Sequence, residues 1–265
     1  MNKLSVLPDG SKSAFRVHHL EKHVSLIEFD AGDHNYLDLH GMRSFADILE
    51  LLDDDPKCRC IVLTANGRTF CAGVRFDASN AEGGAPDPSL FYAQAMRIFG
   101  TRKPWIAAIQ GAAVGAGLGL AVAADFRVGC KEARFSANFN RLGFHPGFGL
   151  SVTLPRLIGM QKAATLFYTA RRIDGVLAKE IGLLDEIVDA PLLRAHAISF
   201  AEELAASAPI AVQSTRKTLR TGLELQVRHA NAIGLELQRQ QMKMQDFAEG
   251  VSAMSARREP VFSGI

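Results

Sequence analysis

Apolar and polar positions alternate over Phe15–His18 and again over Val24–Phe29, the period of half-buried strands. These two runs predict an N-terminal hairpin. Leu39, Met42, Phe45, Leu49 and Leu52 then recur at three- and four-residue spacing, which predicts an amphipathic helix closed by Asp53–Asp55 and Pro56. Cys58–Thr64 reads as a buried strand ending at an Asn66–Gly67 turn. Residues 78–88 are small, polar and rich in Pro and Gly, hence a surface loop. A helix over Leu90–Phe99 and a strand over Trp105–Gln110 follow.

Gly111, Gly115, Gly117 and Gly119 interrupt an Ala-rich, otherwise helical run, and a strand over Asp125–Cys130 comes next. Residues 135–149 read as strand, loop and turn. From Ser151 onward the pattern is mostly helical, with helices expected over Ala208–Leu225, opened by Pro209, and over Ala230–Gln245. The class is α/β, and two parts are expected: a core over residues 1–200 and a helical segment over 201–265.

Composition narrows the function classes. Of 265 residues, 48% are hydrophobic and 22% charged, enough apolar material for a full core. Thirty basic residues against 28 acidic ones leave a formal charge of +2, with no basic block, so no nucleic-acid partner is expected. The longest apolar stretch, Ala112–Ala124, is shorter than the ~20 residues of a membrane helix, so no membrane partner is expected either. The first residues show no apolar secretory segment, and a cytoplasmic location is expected. Cys58, Cys60, Cys71 and Cys130 then read as reduced thiols. Cys58-x-Cys60 lacks a second pair at ligand spacing, and His18, His19 and His23 fall in the hairpin, so no metal site is expected.

Glycines between a strand and a helix let backbone N–H groups approach an anion or oxyanion. Gly115-Ala116-Gly117 begins like a dinucleotide fingerprint, but Leu120 takes the third glycine position. Residues 69–77, TFCAGVRFD, form a second strand-to-loop turn of small residues. Two such turns can each offer one N–H to the same oxygen.

The chain resembles the crotonase superfamily, also called the enoyl-CoA hydratase/isomerase family. The matching stretches are VLTANGRTFCAGV (62–74), RKPWIAAIQGAAVGAGLGLAVAADFRV (102–128), ARFSANFNRLGFHPGFG (133–149), LPRLIG (154–159), ARRIDGVLAKEIGLLDEIV (170–188) and REPVF (258–262). The resemblance implies a crotonase-like spiral of ββα units with a helical C-terminal trimerisation segment, in a homotrimer or a hexamer built as a dimer of trimers. It implies an acyl-CoA thioester as substrate, with coenzyme A entering as part of that substrate and no other cofactor. It assigns an oxyanion hole to the N–H groups of Val74 and Ala116. Ala72, Arg75, Phe76, Asp77, Phe139 and Arg258 become candidate substrate or CoA contacts.

The sequence departs from the family at its acidic positions. The two glutamates of a hydratase fall here on Gly119 and Phe139, and the carboxylate of some isomerases falls on Gly147. Neither Gly nor Phe transfers a proton, and each acid–base group contributes ~10²–10⁴ in rate. Isomerisation, C–C cleavage or thioester hydrolysis is therefore favoured. A hydratase with relocated groups and a catalytically silent acyl-CoA-binding protein are the alternatives. His145, on the turn after Phe139 and before Pro146, is the expected catalytic proton-transfer group. Asn138, Asn140 and Ser151 are lesser polar candidates. If His145 is structural, Asp77, Glu82, Asp87 and Tyr92 are next in line.

Overall fold

The computed structural model describes residues 13–76 and 87–265. Strands β1 (Phe15–His19) and β2 (Val24–Phe29) form the expected antiparallel hairpin, with Phe15 opposite Phe29. Helix α1 (Leu39–Asp54) is capped by Asp38, whose carboxylate accepts from Gly41 N–H at 2.7 Å. The face bearing Met42, Phe45, Leu49 and Leu52 is buried. The hairpin histidines take local partners: His18 meets Glu28, His19 meets Ser25, and His23 meets the Lys57 carbonyl.

The chain then alternates between two sheets. Strands β3 (Cys60–Ala65), β5 (Trp105–Ile109) and β7 (Phe126–Gly129) join the first, and β4 (Thr69–Cys71), β6 (Ala112–Val114) and β8 (Arg134–Ser136) join the second. Helix α2 (Ser89–Arg97), continued by a 3₁₀ turn at Ile98–Gly100, precedes β5, and α3 (Ala116–Ala123) follows β6. After β8 and a 3₁₀ turn at Asn138–Leu142 come α4 (Leu150–Ile158), α5 (Met160–Thr169), β9 (Ile173–Asp174), α6 (Gly175–Glu180) and β10 (Glu186–Ile187). The sheet orders are β1-β2-β3-β5-β7-β10 and β4-β6-β8-β9. Each successive turn of chain thus adds one strand to each sheet and then a helix, which is the expected spiral. Strand β5 is buried along its whole length, as a parallel strand covered on both faces must be.

The helical tail comprises α7 (Leu193–Ala206), α8 (Pro209–Leu219), α9 (Leu223–Gln241) and α10 (Gln245–Ala256). The expected boundary at residue 200 falls inside α7, whose Leu193, Ala197, Ala201 and Ala205 pack on Leu26, Val62 and Ile106. The expected helix over Ala208–Leu225 is instead two helices. Gly222, at φ +75°, breaks the run and starts α9. The tail is tied to the core by ions: Asp125 receives Arg216 at 2.9 Å and Arg220 at 2.9 Å, and its carboxylate also accepts from Trp105 N–H. No helix among the described residues is long and apolar enough to cross a membrane.

Candidate active site

The turn after β4 and the turn between β6 and α3 press against each other. Gly73 has φ +89°, and a Cβ built there would lie 2.7 Å from the Val114 carbonyl oxygen and 3.3 Å from the Ala116 nitrogen. Only glycine keeps that approach open and leaves Ala116 N–H uncovered. Ala116 is the first residue of α3, so its N–H has no acceptor within the helix. Gly115, at φ +55° and ψ −117°, gives the chain the bend that starts the helix there. Gly117 lets α3 lie on the Cys71 carbonyl.

These turns open on a cavity of about 1220 Å³. Of the sequence-predicted residues, Ala72, Val74, Arg75, Phe76, Ala116, Phe139 and Arg258 all line it. Asp77 and Glu82 lie outside the described residues, as does most of the loop expected at 78–88. One wall is aromatic: Phe144 meets Phe76, Phe139 and Phe247 edge-on at 5.7, 5.6 and 5.7 Å between ring centres. Arg134, Arg172 and Arg257 also line the cavity, and sequence reading missed them. Arg258 is already engaged, in a two-point pair with Glu249 at 2.6 and 2.7 Å. Hydrogen bonding from Arg258 holds the Glu249 carboxyl at about 2.

Each of the three positions expected to lack an acid is occupied by an aromatic group. A Cβ at Gly119 would sit 2.5 Å from the Phe148 ring. Phe148 is fully buried and holds φ +59°, a conformation rarely adopted by a bulky residue. Phe139 fills its own position in the cavity wall. At Gly147 a Cβ would overlap the hydroxyl of Tyr92, a residue of the cavity lining. The Tyr92 hydroxyl accepts a hydrogen bond from Gln238 Nε2 at 3.1 Å. Burial pushes its pKa up to about 12.

The structure does not bring His145 to this cavity. The residue lines a separate hollow of about 470 Å³ with Asn140, Ser151, Met160 and Tyr168. Its Nδ1 is 2.8 Å from its neighbour's carbonyl, Pro146 O, and its backbone N–H donates to Gln241 at 2.7 Å. The turn leads the chain toward α9 rather than toward Val74 and Ala116. Asn140 and Ser151 share that displacement, whereas Asn138 lines the main cavity. Asp87 also lines it, but pairs with Arg239 at 2.9 Å, and that guanidinium keeps its carboxyl below the ordinary range.

Cys71 lies under the Gly73 turn. Burial pushes its thiol up to about 12, so it is not a nucleophile at cellular pH. Cys58, Cys60 and Cys130 are free and buried too.

Comparison with known proteins points to one family. A family model described as enoyl-CoA hydratase/isomerase matches residues 19–264. The chain is 30% identical to carnitinyl-CoA dehydratase of Citrobacter koseri over 93% of this chain and 98% of that protein. It is 30% identical to 1,2-epoxyphenylacetyl-CoA isomerase of Escherichia coli over 94% and 98%. Among solved structures, an enoyl-CoA hydratase/isomerase from Pseudoalteromonas atlantica superposes with a TM-score of 0.85 at 27% identity, covering 95% of this chain and all of that one.

Proposed function

The chain belongs to the enoyl-CoA hydratase/isomerase family, and from that premise we propose that it processes an acyl-CoA thioester through an oxyanion held by the Val74 and Ala116 N–H groups. The observation that carries this reading is the close approach of Gly73 to Ala116, which sets the two turns on one cavity. Two backbone donors aimed at one oxygen stabilise an enolate or a tetrahedral oxyanion, and each is worth about 3 kcal/mol. Among the described residues of the lining, five arginines (75, 134, 172, 257 and 258) stand against Asp38 and Asp87, a cationic balance that suits the phosphates of CoA. The aromatic wall suits the acyl chain.

The reaction is isomerisation, C–C cleavage or thioester hydrolysis rather than two-glutamate hydration, because Phe148, Phe139 and Tyr92 occupy the acidic positions. That same filling supports a second reading, an acyl-CoA-binding protein without turnover. Incubation with a panel of acyl-CoAs in D₂O, followed by mass spectrometry, reads Cα exchange, hydration and hydrolysis together. Deuterium uptake or product with any thioester supports the enzyme. Binding without either supports the silent form, and no binding overturns both. A cytoplasmic location fits the four free, buried thiols.

A further inference from the structure

Gln238 is fully buried between α2 and the turn that carries Gly147. Its Nε2 donates to the His145 carbonyl at 2.7 Å and to the Tyr92 hydroxyl at 3.1 Å. The first bond sets which way the amide faces. Turned over, Oε1 would meet the His145 carbonyl oxygen, and two acceptors repel. The Tyr92 oxygen is therefore an acceptor toward Gln238, and its own proton must point elsewhere. Among the described residues nothing accepts that proton. Gln238 Oε1 is also buried without a partner. The amide is held here by its Nε2, which supplies the His145 carbonyl with a donor and at the same time fixes the Tyr92 oxygen as an acceptor.

Tyr92 stands in the cavity lining with Leu90, Phe91 and Phe139, all apolar. Gly147 leaves room for its hydroxyl. Burial keeps the phenol protonated at cellular pH, so it serves as a donor and not as a base. The Tyr92 O–H stands beside Gly147 and Gln238, with one lone pair used and its proton still to give, on a residue of the cavity lining, so it selects for an acceptor on whatever fills the cavity.

We propose that Tyr92 is a specificity residue whose hydroxyl donates to an oxygen carried on the acyl chain, with Gln238 as the positioning residue that aims it. The acyl groups favoured are then those bearing a hydroxyl or keto oxygen, over plain hydrocarbon chains. The inference rests on the acyl-CoA reading above. Calorimetric Kd values for butanoyl-CoA, 3-hydroxybutanoyl-CoA and 4-hydroxybutanoyl-CoA test it on the full chain. At least one hydroxylated thioester should bind about tenfold tighter than butanoyl-CoA. Tyr92→Phe should abolish that preference while leaving the butanoyl-CoA Kd within about twofold. Gln238→Met should reduce the preference in the same selective way, which a merely structural role would not do. Equal wild-type affinities, or a preference that survives in Tyr92→Phe, overturn the inference alone. Failure of all three thioesters to bind overturns the acyl-CoA reading and this inference with it.

Discussion

Phe148 lies so close to Gly119 that an added Cβ would stand 2.5–2.7 Å from three of its atoms. The glycine and the phenylalanine are one packing unit. The space where a carboxylate would project is solid, and Phe148 holds a left-handed backbone to fill it. Gly119→Ala should therefore destabilise by about 1–3 kcal/mol through overpacking, read by urea unfolding. Combining it with Phe148→Leu should cost less than the sum of the two single changes, the sign of direct coupling. Gly119→Glu should not confer hydration of a short 2-enoyl-CoA. Turnover near the ordinary enzyme median of ~10 s⁻¹ in that variant, or in the natural chain, would contradict the role given to Phe148.

The Ala116 N–H can be removed with little other change. Ala116 opens α3, and proline is tolerated at the first position of a helix. Ala116→Pro should keep the circular-dichroism spectrum and lower Cα exchange or turnover by ~10²–10³-fold. Gly73→Ala should do the same by another route, since its methyl would crowd Ala116 N at 3.3 Å. A folded Ala116→Pro protein with full turnover would remove that N–H from the site.

His145→Gln should leave turnover within about threefold, a change well below the 10² expected of a lost acid–base group. The imidazole bonds to Pro146 O and faces the smaller hollow, away from Val74 and Ala116. A loss of ~10² or more in a folded variant would return His145 to the mechanism.

What sequence reading found and missed follows from where the information lies. The Val74 and Ala116 turns were legible because both depend on glycine, and glycine's reason for being there is local backbone approach. The first sheet was legible because Val24–Phe29 and Trp105–Ile109 are long enough to show a period. The second sheet was hidden, since β4, β6 and β8 are three residues each. His145 was misplaced because adjacency to Phe139 in sequence says nothing about which side of a turn faces the cavity. Tyr92 was already a candidate in the sequence, but its place opposite Gly147, like that of Phe148 opposite Gly119, shows only in space. An empty position in the chain is filled from elsewhere in space, and no spacing rule records that.

Assembly is a further expectation. The tail exposes Ile210, Leu219, Leu225 and Ile233, and the C-terminal strip exposes Val261 and Phe262. Such a set of bare apolar side chains on one segment suits an interface between copies. Light scattering at micromolar concentration should give a homotrimer or a hexamer, and Leu225→Glu with Ile210→Glu should lower the mass. A monomeric natural chain would leave those side chains without this explanation.

The C-terminal strip is also held by Glu249, which accepts from Arg258 and, at 2.7 Å, from Val261 N–H. Arg258 holds the folded carboxyl at about 2, against an ordinary value of 4.5. A depressed carboxyl pKa contributes order above the ordinary value and loses it as pH falls through the folded value. The anchor should thus be complete at pH 5 and progressively lost between 4.5 and about 2. Hydrogen exchange, corrected for intrinsic rates, should show the Val261 amide protected at pH 5 and much less so at pH 2.5. Glu249→Gln should flatten that dependence, because the amide does not ionise. It should also release Arg258 toward the cavity that Arg258 lines, so CoA should bind this variant at least as tightly as the natural chain. Protection that is equal at the two pH values in the natural chain would show that the Glu249 carboxylate does not hold the strip.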